Sequence, residues 1–262
     1  MDIQKNISLA LYTTVKIGGP ADFFIHTQNS KEFVEAIKYG QQNNLPITIL
    51  GNGSNILISD SGIRGIVIKN DSNEIEILPN NQIKVASGVQ LSQLINFTLD
   101  NNLLGLEEFA YIPSTIGGAI AGNIHGDDKH LFSEFIDSTE KINDFIISAT
   151  IKLTPGDSTL TKQKVKDIIQ KKSAIQPMNS LGSVFKNIVS KDPTGMIIDQ
   201  QLNLKGYSIG NAQISPLHAN FIVNNGQATA TDYFNLIQLI QSKAQETLGF
   251  QFELEIKLLG QF

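Results

Sequence analysis

One turn in this chain interrupts any regular element that tries to run through it. Ile47-Thr48-Ile49-Leu50 leads into Gly51-Asn52-Gly53-Ser54-Asn55, and Ile56-Leu57-Ile58 leaves it. Apolar and β-branched runs bounded by Gly and Asn predict strand, tight loop, strand. Gly51 and Gly53 admit left-handed backbone and carry no Cβ to hold a ligand off the main chain. Successive exposed N–H groups in such a turn form a concave anion site, suited to a pyrophosphate. The same residues also allow a plain hairpin turn.

A second stretch, Tyr111 to Gly126, holds Gly117, Gly118, Gly122 and Gly126 with Ala119 and Ala121 between them. It can pack against a large flat ligand or begin a tightly packed helix. It matches neither the Gly-Lys-Ser/Thr phosphate loop nor the GxGxxG fingerprint. Two backbone-rich loops together suggest a dinucleotide held from both ends.

Composition narrows the partners. The 262 residues suffice for two modest domains or one large one. A formal charge of −5 argues against nucleic acid as the main partner. With no cysteine, disulfides, thiolate metal sites and Cys nucleophiles are excluded. His26, His125, His130 and His218 are scattered, so no metal site is expected. No apolar run reaches about 18 residues and Met1-Asp2-Ile3-Gln4 is not signal-like, so the expectation is a soluble cytosolic protein without membrane insertion.

Along the chain, Lys16 to Asp22 reads as a turn into a short strand at Phe23-Phe24-Ile25. Ser30 can cap a helix from Lys31 to about Asn43, with Phe33, Ala36 and Ile37 inward. The strand at Ile47 then completes a βαβ-like unit. Short strands are expected over 63–68, 74–78 and 82–86, with Asn80-Asn81 as a hairpin turn. Leu91, Leu94, Ile95, Thr98 and Leu99 follow a helical period, capped by Ser87 or a neighbour. A strand over 145–153 ends at Thr154-Pro155-Gly156-Asp157, where a domain boundary is placed.

The second half predicts a basic helix over 165–173, a helix over 196–202 and a strand over 219–223. Thr231 or Asp232 can cap a last helix whose Tyr233, Leu236, Ile237, Ile240, Ala244 and Leu248 recur at i, i+3, i+4 and i+7. Gly249 suits its end. Phe252, Leu254, Ile256 and Leu258 alternate with Glu253, Glu255 and Lys257, a strand with its carboxylates opposite the core. On pattern alone that polar face is solvent. Gly182-Ser183-Val184-Phe185-Lys186-Asn187 places a hydroxyl, a cation and an amide beside a flexible glycine.

Taken together, these motifs resemble the UDP-N-acetylenolpyruvoylglucosamine reductase family. The matching segments, in order, are Thr14 to Asp22, Leu50 to Leu57, Ile112 to Gly126, Gly182 to Asn187, Leu204-Lys205-Gly206, His218 to Asn224 and Phe252 to Ile256. The resemblance implies an α+β fold with an FAD-binding domain of the vanillyl-alcohol-oxidase (PCMH) type over 1–155, in two subdomains divided near residue 70. A smaller α/β substrate-binding domain would cover 156–262. The implied activity is reduction of the enolpyruvyl group of UDP-N-acetylglucosamine enolpyruvate to UDP-N-acetylmuramate, with NADPH as reductant, for bacterial peptidoglycan synthesis.

On that resemblance FAD is held by Gly51, Asn52, Gly53, Ser54 and Asn55, and by Pro113, Ser114, Thr115, Gly117, Gly118, Asn123, His125 and Gly126. Hydride addition to the enolpyruvyl double bond leaves negative charge on the neighbouring carboxylate, which needs stabilisation and then a proton on carbon. Ser183 matches the family's proton donor and Glu255 its active-site glutamate. Lys186, Asn187 and His218 fall on the UDP-sugar side. A backbone-capping role for Ser183 and a structural role for His218 are the alternatives.

The chain also departs from the pattern. The family's arginine, in a Tyr-Arg-x-Ser segment, is absent; Arg64 is the only arginine and lies in another motif. The region between Asp137 and Phe145 is shortened. Ser114 stands where the family usually has Gly, and Ile124-His125-Gly126 replaces Ala-Gly-Ala. Losing one preorganised electrostatic group costs about 3 kcal/mol of transition-state stabilisation. A non-catalytic FAD-binding homologue and a flavin oxidase with another substrate therefore stand as alternatives.

Overall fold

A computed structural model describes residues 1–126, 130–188 and 192–262. Helices and strands are mixed in an α+β arrangement, and the chain divides into two compact units. One unit comprises Met1–Gln4, Phe23–Asn52 and Gly65–Lys172; the other comprises Lys5–Asp22, Gly53–Arg64 and Ser173–Phe262.

In the first unit, the helix Ser30–Gln42 is capped by Asn29 rather than Ser30, because the Asn29 side chain accepts from the Glu32 N–H at 2.9 Å. The Ser30 N–H instead donates to the Glu74 carboxylate at 2.7 Å. Phe33, Ala36 and Ile37 pack with Ile25, Ile66, Ile68 and Ile147 in one core. The strand Ile47–Leu50 pairs in parallel with Ile63–Asn70, Ile47 opposite Ile66. Ile63–Asn70 lies between it and Pro20–Thr27, so the expected βαβ-like unit has a later strand inserted at its centre.

A second sheet runs in the order Ile75–Leu78, Gln82–Ala86, Phe145–Lys152, Ile136–Ile142 and is antiparallel throughout. Asn80 and Asn81, both at φ 60°, make the expected hairpin turn. Asn143, at φ 52°, helps turn Ile136–Ile142 back into Phe145–Lys152, so the shortened region is a tight hairpin. The helix Leu91–Asp100 buries its five periodic residues in a core with Ile83, Val85, Phe109 and Phe132; its N-cap is Gln90, not Ser87. The basic helix extends over Ser158–Ser173 and buries only Ser158 and Val165, as a solvated helix should.

The second unit has its own core, including Val15, Ile17, Leu57, Phe185, Tyr233, Ile237 and Phe252. The helix Ala230–Leu248 is capped by Thr229, whose side chain accepts from the Asp232 N–H at 3.0 Å while Asp232 reaches back to the Thr229 N–H at 3.1 Å. Gly249, at φ 76°, ends it. Thr194–Met196 is one helical turn that widens into π geometry over Ile197–Gln201. A small antiparallel sheet joins Ser208–Ile209, Ala212–Ile214 and Ile222–Asn224.

The strand Ile56–Ile58 pairs in parallel with Lys257–Leu259. The Gly51 loop is therefore not a hairpin turn: the strands either side of it pair with different partners. The last strand is also shorter than its alternation suggests. Only Lys257–Leu259 forms a ladder, although Phe252 and Ile256 are buried and Glu253 and Glu255 exposed as the pattern requires. Among the described residues, no helix is long and apolar enough to cross a membrane.

Candidate active site

In the first unit the two Gly-rich stretches touch. A Cβ on Gly51 would lie 2.5 Å from the Thr115 hydroxyl oxygen, so only glycine permits this approach. Asn52 and Gln90 form a reciprocal amide pair: Gln90 Nε2 donates to Asn52 Oδ1 at 2.8 Å, and Asn52 Nδ2 donates to Gln90 Oε1. Asn52 Nδ2 also donates to the Pro113 carbonyl at 3.2 Å.

Beyond that contact, Thr115 caps the helix Ile116–Gly122 by accepting from the Gly118 N–H at 3.2 Å. The next amides are also used internally: Ile116 donates to Val89 O at 2.9 Å and Gly117 to Ser87 O at 2.7 Å. This stretch is thus the tightly packed helix start, and its amides serve packing. Ser114 is buried, its hydroxyl donating to Thr115 O at 2.9 Å. Asn123 ends the helix at φ 41°. His125 is exposed, and the Gly126 N–H donates to His130 O at 2.9 Å.

In the second unit Gly53 is left-handed at φ 58°, and a Cβ there would meet the Tyr12 carbonyl at 2.5 Å. Its carbonyl accepts from the Thr14 N–H at 3.3 Å. By contrast, the N–H groups of Gly53, Ser54 and Asn55 have no acceptor among the described residues. Gly53 is itself buried. A buried main-chain donor left unpaired is costly, so the turn fits an anion that would accept from it. An anion nest is what the sequence predicts at this turn, and the donors available to one are main chain. Asn55 is fixed from behind: its Nδ2 donates to Glu255 O at 3.2 Å, and its carbonyl accepts from the Lys257 N–H at 2.9 Å.

The same unit brings the segments that carry Ser183 and Glu255 together. The Glu255 N–H donates to Val184 O and the Lys186 N–H to Glu253 O, both at 2.9 Å, so the two segments run side by side. The Ser183 hydroxyl is half-exposed and bonds to none of the described residues; it caps no backbone. Lys186 is ion-paired with Glu253. That carboxylate, by hydrogen bond and by charge, raises the Lys186 ammonium above its usual range, and the Glu255 charge adds to the effect. Asn187 Oδ1 accepts from the Thr194 N–H at 3.0 Å, a structural bond. His218 Nδ1 accepts from the Asn220 N–H at 3.2 Å, with the ring edge-on to Phe221 at 4.8 Å, so one nitrogen of this histidine is spent on backbone. Arg64 is ion-paired with Asp22 at 2.7 Å and donates to Ser61 O at 2.7 Å.

Two residues, one in each unit, that brace these segments were not assigned from sequence. Gln90 holds Asn52 in the first unit. Asn220, 3% exposed, holds the Ser183 segment: Phe185 N–H donates to its Oδ1 at 3.0 Å and its Nδ2 donates to Phe185 O at 2.8 Å. The one available signal for Asn220 was a carboxamide inside an apolar run, which must find a partner when buried.

Comparison with known proteins bears on the whole chain. Residues 21–143 match a family model described as an FAD binding domain, and residues 173–259 match the C-terminal domain of UDP-N-acetylenolpyruvoylglucosamine reductase. A Listeria monocytogenes (serotype 4a) UDP-N-acetylenolpyruvoylglucosamine reductase is 36% identical over 287 residues, covering 99% of this chain and 95% of that protein. A Clostridium novyi relative of the same name is 32% identical, covering 99% and 93%. Among solved structures, the UDP-N-acetylenolpyruvylglucosamine reductase (MurB) of Thermus caldophilus superposes with a TM-score of 0.81 at 26% identity, covering 99% of this chain and 100% of that one. Matched along nearly its full length in sequence and in fold, the chain belongs to the UDP-N-acetylenolpyruvoylglucosamine reductase family.

Proposed function

We propose that this chain is an NADPH-dependent flavoenzyme that reduces the enolpyruvyl group of UDP-N-acetylglucosamine enolpyruvate to UDP-N-acetylmuramate, a step of bacterial peptidoglycan synthesis in the cytoplasm. The observation that carries the reading is an unbonded Ser183 hydroxyl beside the Glu255 segment, in a chain of this family. Bound FAD supplies the two-electron relay between NADPH and the substrate. The chain supplies the rest. In the second unit the amides of Gly53, Ser54 and Asn55 would donate to a pyrophosphate; in the first, Gly51, Asn52, Pro113, Ser114, Thr115, Gly117, Gly118, Asn123, His125 and Gly126 are assigned to FAD on the family resemblance. Ser183 donates the proton to the carbon next to the substrate carboxylate as hydride arrives at the neighbouring carbon. Glu255 borders that reaction, and Lys186, Asn187 and His218 face the UDP-sugar. We assign residues 1–155 to FAD binding and 156–262 to substrate; the two family-model matches lie either side of that division.

The test is NADPH oxidation by the FAD-loaded protein with and without UDP-N-acetylglucosamine enolpyruvate. Substrate-dependent consumption should appear in the wild type and fall by about 10²–10³ in Ser183→Ala. Full activity in that variant would remove Ser183 from its role. A second reading, an FAD-binding homologue without turnover, is favoured by the tight hairpin at Asn143 and by the engagement of Arg64 with Asp22. Flavin bleaching by NADPH with no substrate reduction would establish it.

A further inference from the structure

We infer that Asn220 is a positioning residue for Ser183, a role that rests on the reductase reading above. The strand-like segment after Ser183 has two edges. One is met by main chain, through Glu255 to Val184 and Lys186 to Glu253. The other is met by one residue. The Asn220 carboxamide copies a peptide group, donating to Phe185 O at 2.8 Å and accepting from Phe185 N–H at 3.0 Å. Its own carbonyl accepts from Val184 N–H at 2.8 Å. Three bonds thus converge on the two residues that follow Ser183, and the clamp is buried, where water competes least. Asn220 is fixed in turn, its N–H held by His218 Nδ1 at 3.2 Å. Further along, the Thr194 hydroxyl secures Lys186 O at 2.7 Å. Before Ser183, Gly182 stands at φ 78° with open space where a Cβ would lie, and its N–H donates to Ser180 Oγ at 3.4 Å.

Asn220 performs no chemistry. Hydride adds to one alkene carbon while the proton leaves Ser183 Oγ for the carbon beside the carboxylate. The double bond is reduced, NADPH is oxidised overall, and the hydroxyl regains its proton from water. A misplacement of about 1 Å at such a donor can cost about 100-fold.

The test separates the two halves of turnover in FAD-loaded protein without oxygen: bleaching of the flavin by NADPH, and its recolouring by UDP-N-acetylglucosamine enolpyruvate. Asn220→Ala should bleach at the wild-type rate but recolour about 10- to 100-fold more slowly, with half-saturation by substrate little changed. Its Phe185 amide should also exchange hydrogen faster, with or without FAD. Asn220→Asp is nearly isosteric, yet its ionised carboxylate offers no donor to Phe185 O. Recolouring by that variant should be slow at neutral pH and recover as pH falls and the introduced carboxyl gains a proton. Wild-type recolouring or unchanged Phe185 exchange in Asn220→Ala would overturn the role. If Asn220→Ala does not fold, a flat pH profile in Asn220→Asp would overturn it. Wild-type protein that bleaches but never recolours would overturn the reductase reading itself, and the role with it.

Discussion

Tyr233 lies wholly inside the second unit's core, and its buried hydroxyl has no hydrogen-bond partner among the described residues. Burial raises the phenol well above its usual pKa, so the group stays neutral and its cost is that of an unmade hydrogen bond. Tyr233→Phe should therefore stabilise the protein by about 1 kcal/mol, read as a higher urea midpoint at unchanged slope; a lower midpoint would mean the hydroxyl has a bound partner such as water. At this scale the sequence was readable where chemistry demands a residue type. A serine and a glutamate in family-like motifs were identifiable, and their segments do run side by side. Asn220 and Gln90 were not, because each acts by completing hydrogen bonds of distant residues, and no local pattern records which distant group needs one.

The helix Ala230–Leu248 shows what decides an element's boundary. Thr229, Thr231 and Asp232 are all competent caps by type, and geometry selects Thr229 with Asp232 as its reciprocal partner. Asp60 then takes the remaining donors: Ala230 N–H at 2.8 Å, Thr231 N–H at 2.9 Å and the Thr231 hydroxyl at 2.7 Å. Burial opposes the charge on Asp60, but those three bonds outweigh it, and its carboxyl titrates below the usual range. A carboxylate depressed in this way contributes fully above the unfolded pKa of about 3.9 and loses its contribution as pH falls through the folded value. Asp60→Ala should cost about 1–2 kcal/mol at neutral pH. The gap in urea midpoint from wild type should close as pH falls through that depressed folded value. A gap that persists there would assign the loss to packing instead. Helical periods were clear from sequence because burial alone enforces them. The last strand was overcalled, since alternation shows which side chains are buried and not whether the backbone finds a ladder partner; Phe252 to Ile256 is instead tied to Val184 and Lys186 by separate bonds.

For the molecule as a whole, the α+β class was legible through the family resemblance. The composition of each compact unit was not. Residues 5–22 and 53–64 join the C-terminal residues because Ile56–Ile58 pairs with Lys257–Leu259, and such a long-range pairing leaves no mark on either strand. A ligand that binds only the folded chain stabilises all of it by mass action. FAD at about 100 times its dissociation constant should add about 2.7 kcal/mol, seen as a concentration-dependent rise in melting temperature. No rise would mean the main-chain nest is not filled by FAD.

Asn52 turns its carboxamide toward Gln90 and Pro113. The side chain at the heart of the first loop is therefore committed to holding up the scaffold, while the neighbouring donors left over are peptide N–H groups that every residue type except proline shares. Selection acting on a surface of that kind has few ways to shift its preference by degrees: single substitutions can break the grip, but the choice among related ligands has to be written elsewhere in the chain.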